Sequence, residues 1–132
     1  MARRFDKVTT MVLLAGALCA CAPVHEDRWI MSRLYFGQQR GAERIAPTEF
    51  EAFVADDLTP AFPAGFTRYA ADGQWRDPAG RVLREPTVVV EIVHRVSAED
   101  DAKLARLAAD YRRRFAQDSV LRVDVPIATP AF

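Results

Sequence analysis

The fold is decided by the stretch Thr87-Val88-Val89-Val90-Glu91-Ile92-Val93-His94-Arg95, the clearest β-strand of the chain. β-branched residues dominate it, and these residues favour strands. Ser97 follows as a helix N-cap, with Glu99 and Asp100 near the positive end of the helix dipole. The helix is predicted to bury one apolar stripe at helical spacing, formed by Leu104, Leu107, Ala108, Tyr111 and Phe115. A final strand is predicted from Val120 to Val125.

The residues before Thr87 repeat the alternation of strand and helix. A first strand is predicted over Trp29–Gly37, because aromatic and branched residues fill it before the glycine. A helix is expected to start at Pro47, with Thr48 and Glu51 placed for a capping box. It should end at Thr59-Pro60, since residues before proline avoid the α region. Its apolar stripe consists of Phe50, Phe53, Val54 and Leu58.

The middle of the chain predicts a hairpin. Strand segments are expected at Phe66–Ala71 and Gln74–Arg76, interrupted by a turn or bulge at Asp72-Gly73. Asp77-Pro78-Ala79-Gly80 has proline and glycine where a tight turn favours them. Pro86 is expected to break the strand that returns from this turn.

The resulting order, β-α-β-β-α-β, predicts an α+β fold of the ferredoxin-like kind, an antiparallel sheet with two helices on one face. The first and third strands are central in that arrangement, with Leu34 and Phe36 facing the helices. The opposite, open face is expected to carry Met31, Arg33, Tyr35, Val89, Glu91 and Val93, together with Arg122 and Asp124 of the last strand.

Residues 1–20 are predicted to be a lipoprotein signal peptide, residues 21–28 a lipidated N-terminus and linker, and residues 29–132 a single domain. Three cations and one anion precede an apolar run that is shorter than the roughly 20 residues of a membrane-spanning helix. Leu18-Cys19-Ala20-Cys21 resembles the bacterial lipoprotein box. That resemblance implies acylation of Cys21, a lipid bilayer as partner, and, with Ala22 after it, an outer-membrane location facing the periplasm. The alternative is ordinary cleavage that leaves Cys21 a free thiol.

Charge and cysteine usage narrow the chemistry. The 18 basic and 18 acidic residues cancel, which argues against a nucleic-acid partner. Both cysteines lie at or before position 21, so no disulfide, thiol nucleophile or cysteine metal ligand is expected in the domain. The two histidines cannot form a usual zinc site by themselves, and no metal or cofactor is expected.

Several segments taken together resemble an uncharacterised bacterial family, the domain of unknown function 3574. The matching segments are Arg33-Leu34-Tyr35-Phe36-Gly37, Thr59-Pro60-Ala61-Phe62-Pro63-Ala64-Gly65-Phe66-Thr67, Gly73-Gln74-Trp75 and the strand from Glu85 to Val93. The resemblance spans Trp29 to Val125. It implies exported or lipid-anchored proteins, and it carries no activity or catalytic residues.

Four residues form the candidate binding face: Arg33, Tyr35, Trp75 and Glu91. Neighbouring central strands are expected to bring Arg33 and Glu91 into contact, either to orient a carboxylate or to neutralise two charges on a sheet face. Trp75 would either stack on a flat ligand or pack the hairpin. His94 is expected to be a surface residue at a strand end.

These observations predict a non-catalytic module of the cell envelope that binds a small ligand or an envelope protein. An alternative is a small cofactor-free enzyme, oxygenase- or isomerase-like, that acts as a homodimer through the open sheet face. A purely structural role in the envelope is a third interpretation. The sequence identifies no catalytic residue.

Overall fold

The computed structural model describes residues 28–77 and 79–131. The predicted signal peptide, the lipidation site Cys21 and the linker up to residue 27 therefore lie outside the described residues. No helix among the described residues has the length and apolar character needed to cross a membrane.

Four strands form one antiparallel sheet, and helices cover one of its faces. The elements in chain order are β1 (Trp29–Gly37), β2 (Gln39–Arg40), β3 (Glu43–Arg44), α1 (Pro47–Phe53), a π-helical turn (Val54–Leu58), α2 (Thr59–Ala61), β4 (Thr67–Arg76), β5 (Val82–Arg95), α3 (Ala98–Phe115) and β6 (Leu121–Ile127). The strand order is β4-β5-β1-β6, so the first and third long strands are central. The predicted α+β, ferredoxin-like fold is confirmed. β2 and β3 form a separate two-stranded hairpin.

The core lies between the sheet and the helices. Leu34 and Phe36 of β1 and Val90 and Ile92 of β5 are fully or almost fully buried there, as the alternation of the strands predicts. The ring of Tyr111 on α3 lies 4.6 Å from that of Phe36, centroid to centroid. The core is completed by Ile45, Phe50, Phe53, Val54, Leu58, Phe62, Leu104, Leu107 and Phe115.

The first helix begins differently from the prediction. Its N-cap is Ala46, and Pro47 is its first residue. The Glu49 carboxylate accepts a hydrogen bond from the Ala46 backbone N–H at 2.9 Å. Glu51 pairs with Arg68 of β4 instead of completing a box with Thr48. Proline pre-sets the first helical turn, which places Glu49, not Glu51, three residues after the cap.

The helical path also continues past the predicted stop at Thr59-Pro60. Val54–Leu58 forms a wide π-helical turn, closed by a bond from the Thr59 N–H to the Val54 carbonyl. The next α-helical turn starts at Thr59, so Pro60 occupies a first-turn position, where its missing N–H is tolerated. The continuation keeps Leu58 and Phe62 buried in the core, which overrides the local tendency of a residue before proline.

β4 and β5 are longer than predicted. β4 runs without interruption through Asp72 and Gly73, and β5 runs through Pro86. A β-carbon on Gly73 would lie 2.7 Å from the Thr87 hydroxyl oxygen, so the glycine allows a close approach of the two strands. Pro86 lacks a donor but its carbonyl accepts from the Gln38 N–H at 2.9 Å. β6 likewise continues through Pro126 to Ile127.

The second predicted helix is confirmed in detail. The Ser97 hydroxyl accepts the Asp100 backbone N–H at 3.0 Å, which satisfies one donor of the first turn. Leu104, Leu107, Tyr111 and Phe115 are buried, as the apolar stripe predicts.

Candidate functional site

The strand register defines the uncovered face of the sheet. Arg33 of β1 lies opposite Glu91 of β5 on one side and Val123 of β6 on the other. Side chains at paired positions share a face, so these residues and their alternate neighbours point away from the helices. We call this surface the open face; its members are Met31, Arg33, Tyr35, Thr67, Tyr69, Val89, Glu91, Val93, Leu121, Val123 and Val125.

β6 contributes apolar residues to the open face, contrary to the prediction for Arg122 and Asp124. Those two residues lie on the helix side, where Arg122 donates to Asp101 of α3 at 2.6 Å. A register difference of one residue exchanges the two faces of a strand. Leu121, 58 % exposed, and Val123, 37 % exposed, therefore lie on the open face, which is more apolar than the sequence predicts.

A single ion pair lies at the centre of the open face. Arg33 Nε donates to Glu91 Oε1 at 2.6 Å, and the Tyr69 hydroxyl donates to the same oxygen at 3.2 Å. The predicted contact between Arg33 and Glu91 is thus present. The hydrogen bond to Glu91 raises the pKa of the Arg33 guanidinium, which remains a cation. Burial, with the hydrogen bond to Glu91, raises the pKa of the Tyr69 hydroxyl, which therefore stays protonated at neutral pH.

An aromatic border lies beside this pair. Val89 lies between Tyr35 of β1 and Tyr69 of β4 in the register and is only 1 % exposed, although no helix covers it. The two tyrosines shield it from the two sides. Tyr69 is a site residue that sequence reasoning missed. The signal was available, because Tyr69 alternates with Thr67 on a strand that neighbours β5.

Trp75 is not part of this group. It lies near the end of β4, eight residues beyond Thr67, which corresponds to about 26 Å along the strand. It is 41 % exposed. Burial raises the pKa of the Glu85 carboxyl, and the neighbouring Trp75 indole partly opposes this rise. The structure therefore brings Arg33, Tyr35 and Glu91 together and places Trp75 at a separate point.

His94 is not the surface residue that its strand-end position predicts. It is buried on the helix side, with Nε2 2.9 Å from the Ser32 hydroxyl oxygen. Ser32 in turn donates to Asp124 Oδ1 at 2.6 Å. Ser32 is completely buried, so a substrate has no access to its hydroxyl. This network connects β1, β5 and β6 and has a structural role.

A cleft lies elsewhere, between β4, the β2–β3 hairpin and the start of α1. Its volume is about 590 Å³, and Ile45, Phe50 and Val88 contribute to its apolar lining. Arg68 and Glu51 also line it and pair with each other at 2.8 Å. This ion pair partly neutralises the charges that line the cleft. On the open face, by contrast, the Arg33 guanidinium hydrogen-bonds to the described residues through one nitrogen only. The described part of the chain contains no group of three or more metal-ligating side chains that could hold a metal ion.

Similarity to known proteins shows the family and the fold of this chain. The family described as "Protein of unknown function (DUF3574)" matches residues 31–130. The chain belongs to this family. No curated protein matches the chain.

Solved structures with a similar fold include a phage lyase in two states and one other protein. A phage SAM lyase in complex with S-methyl-5'-thioadenosine has a TM-score of 0.60 at 20 % identity, covering 74 % of this chain and 81 % of that one. The same lyase in its apo state has a TM-score of 0.58 at 20 % identity, covering 76 % and 82 %. CutA from Synechococcus elongatus has a TM-score of 0.50 at 9 % identity, covering 76 % and 78 %. Similarity at these identities concerns the fold alone.

Proposed function

We propose that this protein is a lipid-anchored module of the cell envelope whose open face binds a small carboxylate-bearing ligand. The observation that carries the proposal is the hydrogen bonding of Arg33. Among the described residues its guanidinium is hydrogen-bonded only through Nε, to Glu91. Its two terminal nitrogens remain available, and such a planar pair matches the two oxygens of a carboxylate.

The surroundings of Arg33 favour a ligand with an apolar or aromatic body. Tyr35 and Tyr69 lie beside the ion pair of Arg33 and Glu91, and Val123 pairs with Arg33 on the β6 side. Such side chains remove water from the ligand, so a charge-assisted hydrogen bond is stronger there than on a fully wet surface. Glu91 orients the guanidinium and keeps it in the plane that its Nε bond requires. An aromatic carboxylate is therefore the probe that fits the site.

The proposal is tested by calorimetric titration of benzoate, with neutral benzamide as the matched probe. Benzoate should bind, and benzamide should bind at least ten times more weakly. Arg33→Gln should lower benzoate affinity about ten- to a hundredfold, the worth of a charge-assisted pair. Glu91→Gln should raise it, because the guanidinium then loses its competing anion. Arg112→Gln, which removes an exposed arginine of α3, is the control and should change nothing.

Equal binding of benzoate and benzamide would overturn the proposal, as would unchanged affinity in a folded Arg33→Gln variant. The opposite effects of Arg33→Gln and Glu91→Gln separate a direct contact from a general loss of stability, since unfolding would weaken binding in both. Thermal unfolding of each variant shows which of them remain folded.

Location is tested separately at the predicted lipidation site. Cys21→Ser should abolish fatty-acid labelling and release the protein from membranes, because the acyl chains provide the anchor. Unchanged membrane retention without labelling would refute lipidation. A periplasm-facing outer-membrane location would be checked by fractionating the two membranes.

The alternative function is a small cofactor-free enzyme that forms a homodimer through the open face. The uncovered apolar side chains of Val93, Leu121 and Val123 favour it, because a second copy would remove them from water. The phage SAM lyase suggests the reaction to try, namely incubation with SAM and detection of S-methyl-5'-thioadenosine. Turnover by a dimer would favour the enzyme, whereas a monomer by light scattering, without turnover, would favour the binding module.

A further inference from the structure

The cleft between β4, the β2–β3 hairpin and the start of α1 lies on the other side of the sheet from Arg33. Arg68 and Ala70 of β4 line it, and they pair with Val90 and Val88 of β5. Val90 belongs to the core under the helices, so the cleft opens on the helix side of the sheet. Its volume of about 590 Å³ is within the range of small-molecule sites.

The backbone of Gln38 joins two walls of the cleft. Gln38 lies between β1 and β2, and its N–H donates to the Pro86 carbonyl of β5 at 2.9 Å. Its carbonyl accepts from the Ile45 N–H, also at 2.9 Å. These bonds fix the hairpin to β5, so the shape of the cleft is set before a ligand binds. A ligand therefore loses little affinity to the ordering of these walls.

The side-chain amide of Gln38 has one allowed orientation. Gln38 is only 7 % exposed, and its Nε2 donates to the Phe36 carbonyl and to the Tyr111 hydroxyl, each at 3.0 Å. Both hydrogens of the amide nitrogen are thus used. Rotating the amide would place Oε1 against the Phe36 carbonyl, which is an acceptor only. Nε2 must therefore face the core, and Oε1 must face away from these two partners.

Gln38 Oε1 has no hydrogen-bond partner within residues 28–77 and 79–131. The hydrogen bonds of Gln38 are formed by its backbone groups and by Nε2. No fully buried side-chain nitrogen or oxygen in this part of the chain lacks a partner, so Oε1 is an atom that solvent reaches. Because Gln38 lines the cleft, solvent reaches the oxygen there. The base of the cleft thus presents a fixed acceptor.

The charged residues that line the cleft, among those described, favour an uncharged ligand. Arg68 and Glu51 pair with each other at 2.8 Å. Arg44 and Asp72 are exposed and have opposite signs. The charges of the lining cancel, so they select neither an anion nor a cation. Gln38 Oε1 also disfavours a carboxylate, since both groups are acceptors only.

We propose that this cleft binds an uncharged ligand that has an apolar body and a hydroxyl group, and that the hydroxyl donates to Gln38 Oε1. Ile45, Phe50 and Val88 provide apolar contacts for the body of the ligand. A ligand without a donor displaces water from Oε1 and leaves the acceptor unpaired, which costs affinity. A phenol has both parts, and its hydroxyl stays protonated at neutral pH, as that of tyrosine does.

The experiment compares 4-fluorophenol with 4-fluoroanisole, its methyl ether, which has no donor. The full chain is purified in a neutral detergent, and binding is followed by fluorine NMR, with a titration into detergent alone subtracted. The phenol should bind about fivefold more tightly or better, the cost of leaving a desolvated acceptor unpaired. Apolar burial by itself predicts the opposite order, because the ether is the more apolar probe.

Two variants separate the acceptor from the volume of the cleft. Gln38→Met keeps the length of the side chain and removes Oε1, so the preference for the phenol over the ether should disappear. Ala70→Phe adds a ring to an exposed position that lines the cleft, and it should weaken both probes at least about fivefold. Ala105→Phe, the same change at an exposed position of α3, is the matched control and should have no effect.

Equal binding of the two probes to the natural protein would overturn the proposal. So would a folded Gln38→Met variant that keeps the preference, or an Ala70→Phe variant that binds the phenol as the natural protein does. Gln38→Met also removes the donor to the Phe36 carbonyl; if it does not fold, the probe pair and Ala70→Phe still decide. Benzoate affinity, which tests the open face, should be unchanged in Ala70→Phe, so the two proposals stand or fail separately.

Discussion

Removal of one buried hydroxyl, in Tyr111→Phe, should cost about 2 to 3 kcal/mol of unfolding free energy. The Tyr111 side chain is completely buried, and its hydroxyl donates to the Gly37 carbonyl at 2.7 Å. It also accepts from Gln38 Nε2 at 3.0 Å. Burial raises the pKa of this hydroxyl far above its ordinary value, so it is a neutral donor at every pH of interest.

The magnitude follows from the two partners that the substitution leaves behind. A buried acceptor or donor without a partner costs about 1 to 3 kcal/mol, more than the net worth of the bond itself. Gln38 Nε2 keeps its second bond, to the Phe36 carbonyl at 3.0 Å, so most of the loss falls on Gly37. The ring of Tyr111 and its contacts with Phe36 and Phe115 remain. In a domain of this size the loss corresponds to a fall of about 10 to 20 °C in Tm.

The assay is urea unfolding followed by far-UV circular dichroism, with the denaturant dependence compared between variants. Tyr69→Phe is the matched control, because it removes the same atom from an exposed hydroxyl 3.2 Å from Glu91. It should change the unfolding free energy by less than about 0.5 kcal/mol. A Tyr111→Phe variant within about 0.5 kcal/mol of the natural protein would refute the reasoning.

Two further predictions concern carboxyl groups with opposite shifts. Although burial opposes ionisation, hydrogen bonds from Arg122 and Ser32 hold the pKa of Asp124 below its ordinary value. The stabilising contribution of the ionised Asp124 carboxylate should be complete above about pH 3.9, the pKa of an aspartate in the unfolded chain. It should be lost as pH falls through the lower pKa of Asp124 in the folded protein. The unfolding free energies of Asp124→Asn and the natural protein, measured by urea titration, should thus differ most at neutral pH and become equal in acid. A difference that stays constant with pH would contradict this. Glu85 has a raised pKa, so its ionised form opposes folding at neutral pH. The Glu85→Gln variant should therefore be more stable than the natural protein at pH 7.5. The difference in unfolding free energy should vanish as pH falls through the raised pKa of Glu85 towards about 4.3, the pKa of a glutamate in the unfolded chain. The control variant Glu43→Gln, which removes a largely exposed carboxylate of β3, should have the stability of the natural protein throughout this pH range. A less stable Glu85→Gln variant at pH 7.5 would contradict it.

The inward faces and the pairing of the two central strands could be predicted from the sequence, because each of these strands pairs with a neighbour on both sides. β1 and β5 each bury one face against the helices, and their alternation predicts that face correctly for Leu34 and Ile92. Their pairing then places Arg33 opposite Glu91, as found. The capping of α3 was equally predictable, because Ser97 acts on its own first turn.

The edge strands were not predictable in the same way. In β6 the apolar residues Leu121 and Val123 alternate with Arg122 and Asp124, and the apolar set would be expected to face the core. The structure has the reverse, because the charged set finds partners on α3 and on Ser32. Local pattern cannot reveal these partners, since they are distant in sequence.

The sequence by itself determined the order of the elements, the inward faces of the two central strands and the family. The order of the main strands and helices and the inward faces follow from short-range periodicity and capping, which act within a few residues. The family follows from the resemblance of several segments taken together, not from their periodicity. Only the tertiary structure decided that the open face is apolar around one ion pair, and that Glu85 and Gln117 meet above Gly37. Both features depend on where segments that are distant in the sequence end. β6 is an edge strand, which pairs with the sheet through one side only, and Gln117 follows the end of α3. Register at such places is set by packing between segments.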